Sequence, residues 1–240
     1  MVREKLIFKV PIEVAPTAFH PSDLTGGQLY LRKDQATASS WVSDIGTARD
    51  FVQGTVTQQP TIGTDTVDFD GVNDAQKVTE SDAFGSDFSG IMFFSVEWNN
   101  PTGNDYIFSS ADESVTNMAV AFAIFSGKLK YISLDGATTQ NLNGTNSFVT
   151  GYNYGYIRSD GSKIYFSLNG ATEVLGTGTA NIGAWFGDVN GRDNLFLGGL
   201  QRNTTSFVPE HLNKLYYNNT ALTSGEIADM NTFMSVPTNY

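Results

Sequence analysis

The stretch YNYGYIRSDGSKIYFSLN, residues 152–169, constrains this chain most: two segments rich in aromatic residues flank an Asp160-Gly161 turn, and Asn169-Gly170 supplies a second turn directly after them. Asp-Gly and Asn-Gly pairs suit the backbone that tight hairpins need, so the runs on either side are expected to fold back as antiparallel strands.

The same pattern recurs along the chain. Short strand signals fall at 28–31, 66–70, 91–98, 106–108, 119–125, 128–134, 152–158, 163–168, 172–175, 195–198 and 212–217, with Ser126-Gly127 placed as a two-residue hairpin turn. In TVDFD, strict alternation puts Val67 and Phe69 on one face and Asp68 and Asp70 on the other. Trp41, Val42 and Phe51 sit among polar residues and are expected to anchor a long covering loop to the core. No helical period lies between the strand signals to cover a parallel sheet. The expected fold class is therefore all-β, a two-sheet antiparallel jelly-roll sandwich.

One helix is expected near the end. Thr223, Ser224, Gly225 and Glu226 form a capping box, and Ile227, Met230, Phe233 and Met234 make one apolar stripe suited to docking. At the other end, Pro11, Pro16 and Pro21 resist a continuous central strand, although 6–10 reads as a strand. Residues 1–20 are thus expected to be an N-terminal arm or edge segment, and 21–240 a sandwich domain of a size that all-β folds occupy as one unit.

Charge narrows the partners. Lys and Arg number 14 against 25 Asp and Glu, and the basic residues form no stripe that could track a phosphate backbone, so nucleic acid is not expected. There are no cysteines, which removes thiolate metal sites and cysteine nucleophiles. The start MVREKLIFKVPIEV lacks an apolar stretch long enough for a signal peptide, and no run approaches the roughly 18 residues of a membrane span.

TVDFDGVND, IRSDGSKIYFSLNG, LFLGGL and LNKLYYNNTALTSGEIADMNTFM, in that order, resemble the concanavalin A-like sandwich domains of the laminin G-like group over roughly residues 27–234. The opening LYLRKDQATASSWVSDIGTARDFVQGTVTQQPTIGTDTVDFDGVND is similar to versions carried by bacteriophage virion proteins and some bacterial surface proteins. The resemblance implies that Asn169-Gly170, at the end of a Phe-x-x-Asn-Gly pattern, is a structural turn. The turn chemistry of Asn-Gly points the same way.

Catalytic equipment is sparse. Enzymes of this sandwich type that cleave β-glucans carry two glutamates four residues apart on one strand, and no two of the glutamates at 4, 13, 80, 97, 113, 173, 210 and 226 have that spacing. Asp68 and Asp70 share a face but are expected to be structural, and His20 and His211 accompany no nucleophile motif. The chain is expected not to be an enzyme.

Two binding features stand out instead. Asp188, Asn190 and Asp193 in GDVNGRDN alternate oxygen ligands around a glycine, a possible calcium loop that reads more simply as a turn. Tyr152, Tyr154 and Tyr156 share one side of their strand, and Trp98, Trp185 and Tyr131 could add neighbouring platforms for sugar rings, with core packing as the alternative.

The resulting expectation is a non-enzymatic structural protein at the virion surface of a bacteriophage. It would be a capsid decoration or head-fibre-associated subunit, anchored to other virion proteins through the arm and capable of homo-oligomerisation. The second reading is a carbohydrate-binding adhesion module for host surface glycans.

Overall fold

A computed structural model describes residues 19–46, 49–99, 104–136, 138–202, 205–207 and 209–238. Two large antiparallel sheets pack face to face and a short helix follows them, so the chain is all-β with a C-terminal helix, as expected. Residues 1–18 of the expected arm, including the strand signal at 6–10, lie outside the described residues.

The first sheet runs β14 (Val174–Leu175), β13 (Ile164–Leu168), β12 (Gly151–Ser159), β7 (Gly90–Trp98), β19 (Pro209–Asn218), β5 (Val67–Asp70) and β4 (Thr61–Ile62). β1 (Gly27–Arg32) also pairs with β19, alongside its C-terminal half, while β5 takes the N-terminal half. The second sheet runs β15 (Thr177–Gly178), β11 (Thr138–Ser147), β10 (Lys128–Asp135), β9 (Met118–Phe125), β8 (Asn104–Ala111), β16 (Asn194–Leu197), β6 (Gln76–Thr79), β3 (Asp50–Val52) and β2 (Ser40–Val42). A small pair, β17 (Gly199–Gln201) and β18 (Thr205–Phe207), forms a separate two-stranded sheet packed against the second sheet through Leu200.

Turn chemistry sets the registers. Ser126 and Gly127 take φ of 50° and 70°, and Asn169 and Gly170 take 53° and 72°, the double positive φ of a type I′ turn. At the 160–163 turn, Asp160 Oδ1 accepts from the amides of Ser162 and Lys163, each at 2.8 Å. Gly198 in LFLGGL has φ of 84°, and a Cβ there would meet Phe69 Cδ1 at 2.4 Å, so only glycine fits.

The interior between the sheets is filled by residues such as Leu29, Phe51, Val67, Phe69, Phe94, Val96, Phe122 and Ile124. A second apolar layer lies on the outer face of the first sheet, where α1 (Ser224–Met234) docks. There Ile91, Phe93, Tyr156 and Tyr216 from the strands meet Met230, Phe233 and Met234 from α1. This explains why β7 reads as a nearly unbroken apolar run: Met92, Phe94 and Val96 face inward while Ile91 and Phe93 face the helix.

The capping box forms as expected, with Thr223 Oγ1 accepting from the Glu226 amide and Glu226 accepting from the Thr223 amide at 2.7 Å. Beyond α1 the chain is pinned to the sheet. Tyr152 donates its hydroxyl to Met234 O at 2.6 Å, and the buried Lys214 Nζ donates to Val236 O at 2.6 Å.

Candidate functional site

The docking of α1 creates a concavity on the outer face of the first sheet. It is a cleft of about 510 Å³, walled on one side by β7 and β12 and on the other by the link between β19 and α1. That volume lies within the roughly 300–1,000 Å³ of small-molecule sites.

Three layers of cause place its residues. Alternation along β12 directs Tyr156 and Arg158 to the outer face, the short 160–163 turn brings Asp160 to the rim, and the Asn169-Gly170 turn returns the chain so that Glu173 lies beside Arg158. Arg158 donates through Nε and Nη2 to the two oxygens of Glu173 at 2.9 and 2.6 Å, the parallel fork that guanidinium and carboxylate form best. Its guanidinium also lies 4.5 Å from the centroid of Tyr165. Nη1 has no hydrogen-bond partner among the described residues.

The electrostatics follow from this arrangement. The hydrogen bond to Glu173 raises the Arg158 pKa further, outweighing its partial burial. Burial pushes the Tyr156 hydroxyl up to about 12, with the Glu173 charge adding to it. Burial works against ionisation of Asp160, but hydrogen bonds from Ser162, Lys163 and Tyr165 together outweigh it and hold its pKa down to about 2. Ser89, Thr220 and Ser224 add hydroxyl-bearing residues to the lining, and Ile91, Leu222 and Ile227 supply apolar surface. Phe88, 57% exposed, precedes Ser89, and its carbonyl lies beside Gly161 at the rim.

The expected aromatic platforms are distributed differently. Tyr152, Tyr154 and Tyr156 do share one side of β12, the side that carries α1. Tyr152 is bound to the end of the helix, Tyr154 packs against the helix-side layer, and Tyr156 is 4% exposed and lines the cleft. Trp98, Trp185 and Tyr131 are interior residues. Trp98 packs on Phe148, and Trp185 is 0% exposed and stacks on Tyr131 at 5.3 Å, with Nε1 donating to Tyr217. Rings enclosed in this way offer no face to a sugar, and alternation alone could not say which side of the strand would be covered.

GDVNGRDN is organised around a side chain that sequence reasoning passed over. Arg192, 1% exposed, donates to Val189 O, Ala83 O, Phe186 O and Ser110 Oγ at 2.7–2.9 Å. Asp188 accepts from the Trp185 amide, Asp193 accepts from the Glu113 amide, and Asn190 is exposed. Among the described residues, no group of three His, Cys, Asp or Glu is placed to hold a metal ion.

The remaining candidates are dispersed. His20 caps a short 3₁₀ turn through Nδ1, while His211 pairs with Asp68 at 2.9 Å. The hydrogen bond to Asp68 raises the His211 pKa. Asp70 is exposed and accepts from the amides of Val72, Asn73 and Asp74, closing the turn that follows β5. Asp105 is 4% exposed, its Oδ1 has no partner among the described residues, and burial raises its pKa to about 7. It does not line the cleft.

The sequence matches no protein-family model and no curated protein. Solved structures are similar in fold. A Trypanosoma rangeli sialidase aligns at a TM-score of 0.63 with 11% identity, over 89% of this chain and 33% of that one. The NanB sialidase of Streptococcus pneumoniae aligns at 0.52 with 15% identity, over 63% of this chain and 26% of that one. The CBM40 of a Ruminococcus gnavus IT-sialidase, bound to α2,3-sialyllactose, aligns at 0.50 with 15% identity, over 60% of this chain and 82% of that one. The chain therefore spans about a quarter to a third of the whole sialidases it resembles.

These likenesses correct the expectation of a bacteriophage virion protein, whether as capsid decoration or head-fibre subunit, together with its virion-surface placement and virion partners. The similar folds belong to sialidases and to a sialidase's carbohydrate-binding module. The physical reason for the misreading is that Asp-Gly, Asn-Gly and LFLGGL are turn and packing requirements of the sandwich itself, whatever it serves. Among the described residues, no helix is long and apolar enough to cross a membrane. The chain is a β-sandwich of the jelly-roll kind, similar in fold to sialidase-associated and CBM40 domains.

Proposed function

We propose that this protein is a non-catalytic carbohydrate-binding module whose site is the cleft between β12, β7 and the link into α1. The observation that carries the reading is the composition of that cleft. A guanidinium, two carboxylates and several hydroxyls converge over an apolar floor in about 510 Å³. Sugars present hydroxyls that both donate and accept, along with apolar C–H faces, so a site for them needs this mixture. The chemistry on hand favours binding over turnover: Glu173 is engaged by Arg158, and Asp160 is held ionised by turn amides, so it is not available as a proton donor. The likeness in fold to a sialidase's carbohydrate-binding module supports glycan binding as the class of function.

Glycan-array binding of the full chain, repeated with Arg158→Ala, tests the proposal. Saturable binding is expected for the parent protein and at least about tenfold loss for the variant, the scale of a charge-assisted hydrogen bond. A blank array for the parent, or undiminished binding by a folded variant, overturns the assignment.

A further inference from the structure

We infer that the cleft takes an uncharged saccharide and discriminates against sialylated and other anionic sugars. The inference rests on the glycan-binding reading of the same cleft and concerns the class of ligand.

Capture of a carboxylate requires a cation whose charge is not already spent. The cleft has two positive features, and each already holds an anion. The fork of Arg158 is engaged by both oxygens of Glu173, at 2.9 and 2.6 Å. The N-terminus of α1, where Ser224 lines the cleft, carries the positive end of the helix dipole. Glu226 occupies that end, accepting from the Thr223 amide and hydroxyl at 2.7 Å each.

A further carboxylate, Asp160, lines the same cleft. The nearby Lys163 directs its Nζ to Asn181 O at 2.6 Å. Arg158 set against Glu173 and Asp160 leaves the lining with an excess of one negative charge, in a chain whose net charge is −11. An incoming carboxylate would meet repulsion, or would have to take Arg158 from Glu173 and strand that partly buried acid without its counter-ion.

A neutral sugar meets no such obstacle. Its hydroxyls can donate to the remaining lone pairs of Glu173 and Asp160 and accept from Arg158 Nη1, and its C–H face can rest on Ile91, Leu222 and Ile227. The intact ion pair then acts as a rigid donor and acceptor edge. Adjacent hydroxyls on a pyranose ring match such an edge in spacing and in sense.

Matched pairs of oligosaccharides test this on the full chain. Neutral array members such as lactose and N-acetyllactosamine are compared with their 3′-sialylated congeners, and any hits are quantified by calorimetry. The expected result is that a neutral member binds and its sialylated congener binds at least about tenfold more weakly. Glu173→Gln, which leaves Arg158 without its counter-charge, is expected to narrow or reverse that ratio. Equal or tighter binding of the sialylated members by the parent protein overturns the inference and leaves the glycan-binding reading standing. Absence of binding to every member overturns both.

Discussion

Replacing Asp105 with Asn is expected to remove a pH-dependent cost that the fold carries. Asp105 lies on β8, 4% exposed, and its Oδ1 has no partner among the described residues. Burial raises its pKa from 3.8 to about 7. At about 1.36 kcal/mol per pH unit, a difference of roughly three units makes the ionised form cost the native state about 4 kcal/mol at most.

The sign is fixed by proton binding. Between pH 4 and pH 7, roughly, the native carboxyl holds its proton while the unfolded one has lost it. Stability contributed by this group therefore falls as pH rises across that window and is flat above it. His211, whose pKa is also raised, acts in the same direction at the upper end of the window, so the useful quantity is the difference between parent and variant. Urea unfolding from about pH 4.5 to pH 8 should show the parent losing stability while Asp105→Asn stays level with respect to this term. At pH 8 the variant should be the more stable by a few kcal/mol, on the order of 10 °C in Tm for a chain of this size. Parallel pH profiles for the two proteins would refute the reasoning, because they would mean that this carboxyl titrates as it does in water.

Two further substitutions probe how the helix shapes the cleft. Phe233→Ala removes a ring that packs edge-on against Phe19, His20 and Tyr30 at 6.1–6.2 Å, and should cost about 3 kcal/mol in denaturant unfolding. Because α1 lines the cleft through Ser224 and Ile227, the same variant should also weaken glycan binding. Thr223→Ala deletes the acceptor for the Glu226 amide and should cost about 1 kcal/mol, read from the same unfolding curves.

Much of the fold was legible because its signals are local. Asn169-Gly170 and Ser126-Gly127 sit at the turns they specify, and the capping box at Thr223 starts the helix that its apolar stripe docks. β11 left no such signal: in TTQNLNGTNS the inward positions include Gln140, a polar side chain that donates to Ser133 Oγ and Ala184 O. An amide satisfied by partners 7 and 44 residues away looks, in sequence, like a solvated loop. Trp41, Val42 and Phe51 were expected to anchor a covering loop. Trp41 and Phe51 do reach the core while Val42 is exposed, but all three lie in the β2 and β3 hairpin rather than a loop, and that hairpin extends the second sheet through a single pairing of Val52 with Lys77.

The sequence by itself determined that the chain is an antiparallel sandwich with a docked terminal helix, because alternation, turn dipeptides and caps act over a few residues. It also determined that Tyr152, Tyr154 and Tyr156 lie on one side of a strand. Only the tertiary structure decided that α1 covers that side, that Trp98 and Trp185 point into the core, and that Arg158, Asp160, Glu173 and Ser224 meet around one cleft. A site of this kind is assembled from four chain segments across a sheet and a helix, and their proximity depends on which faces pack, a choice that no short run of residues records.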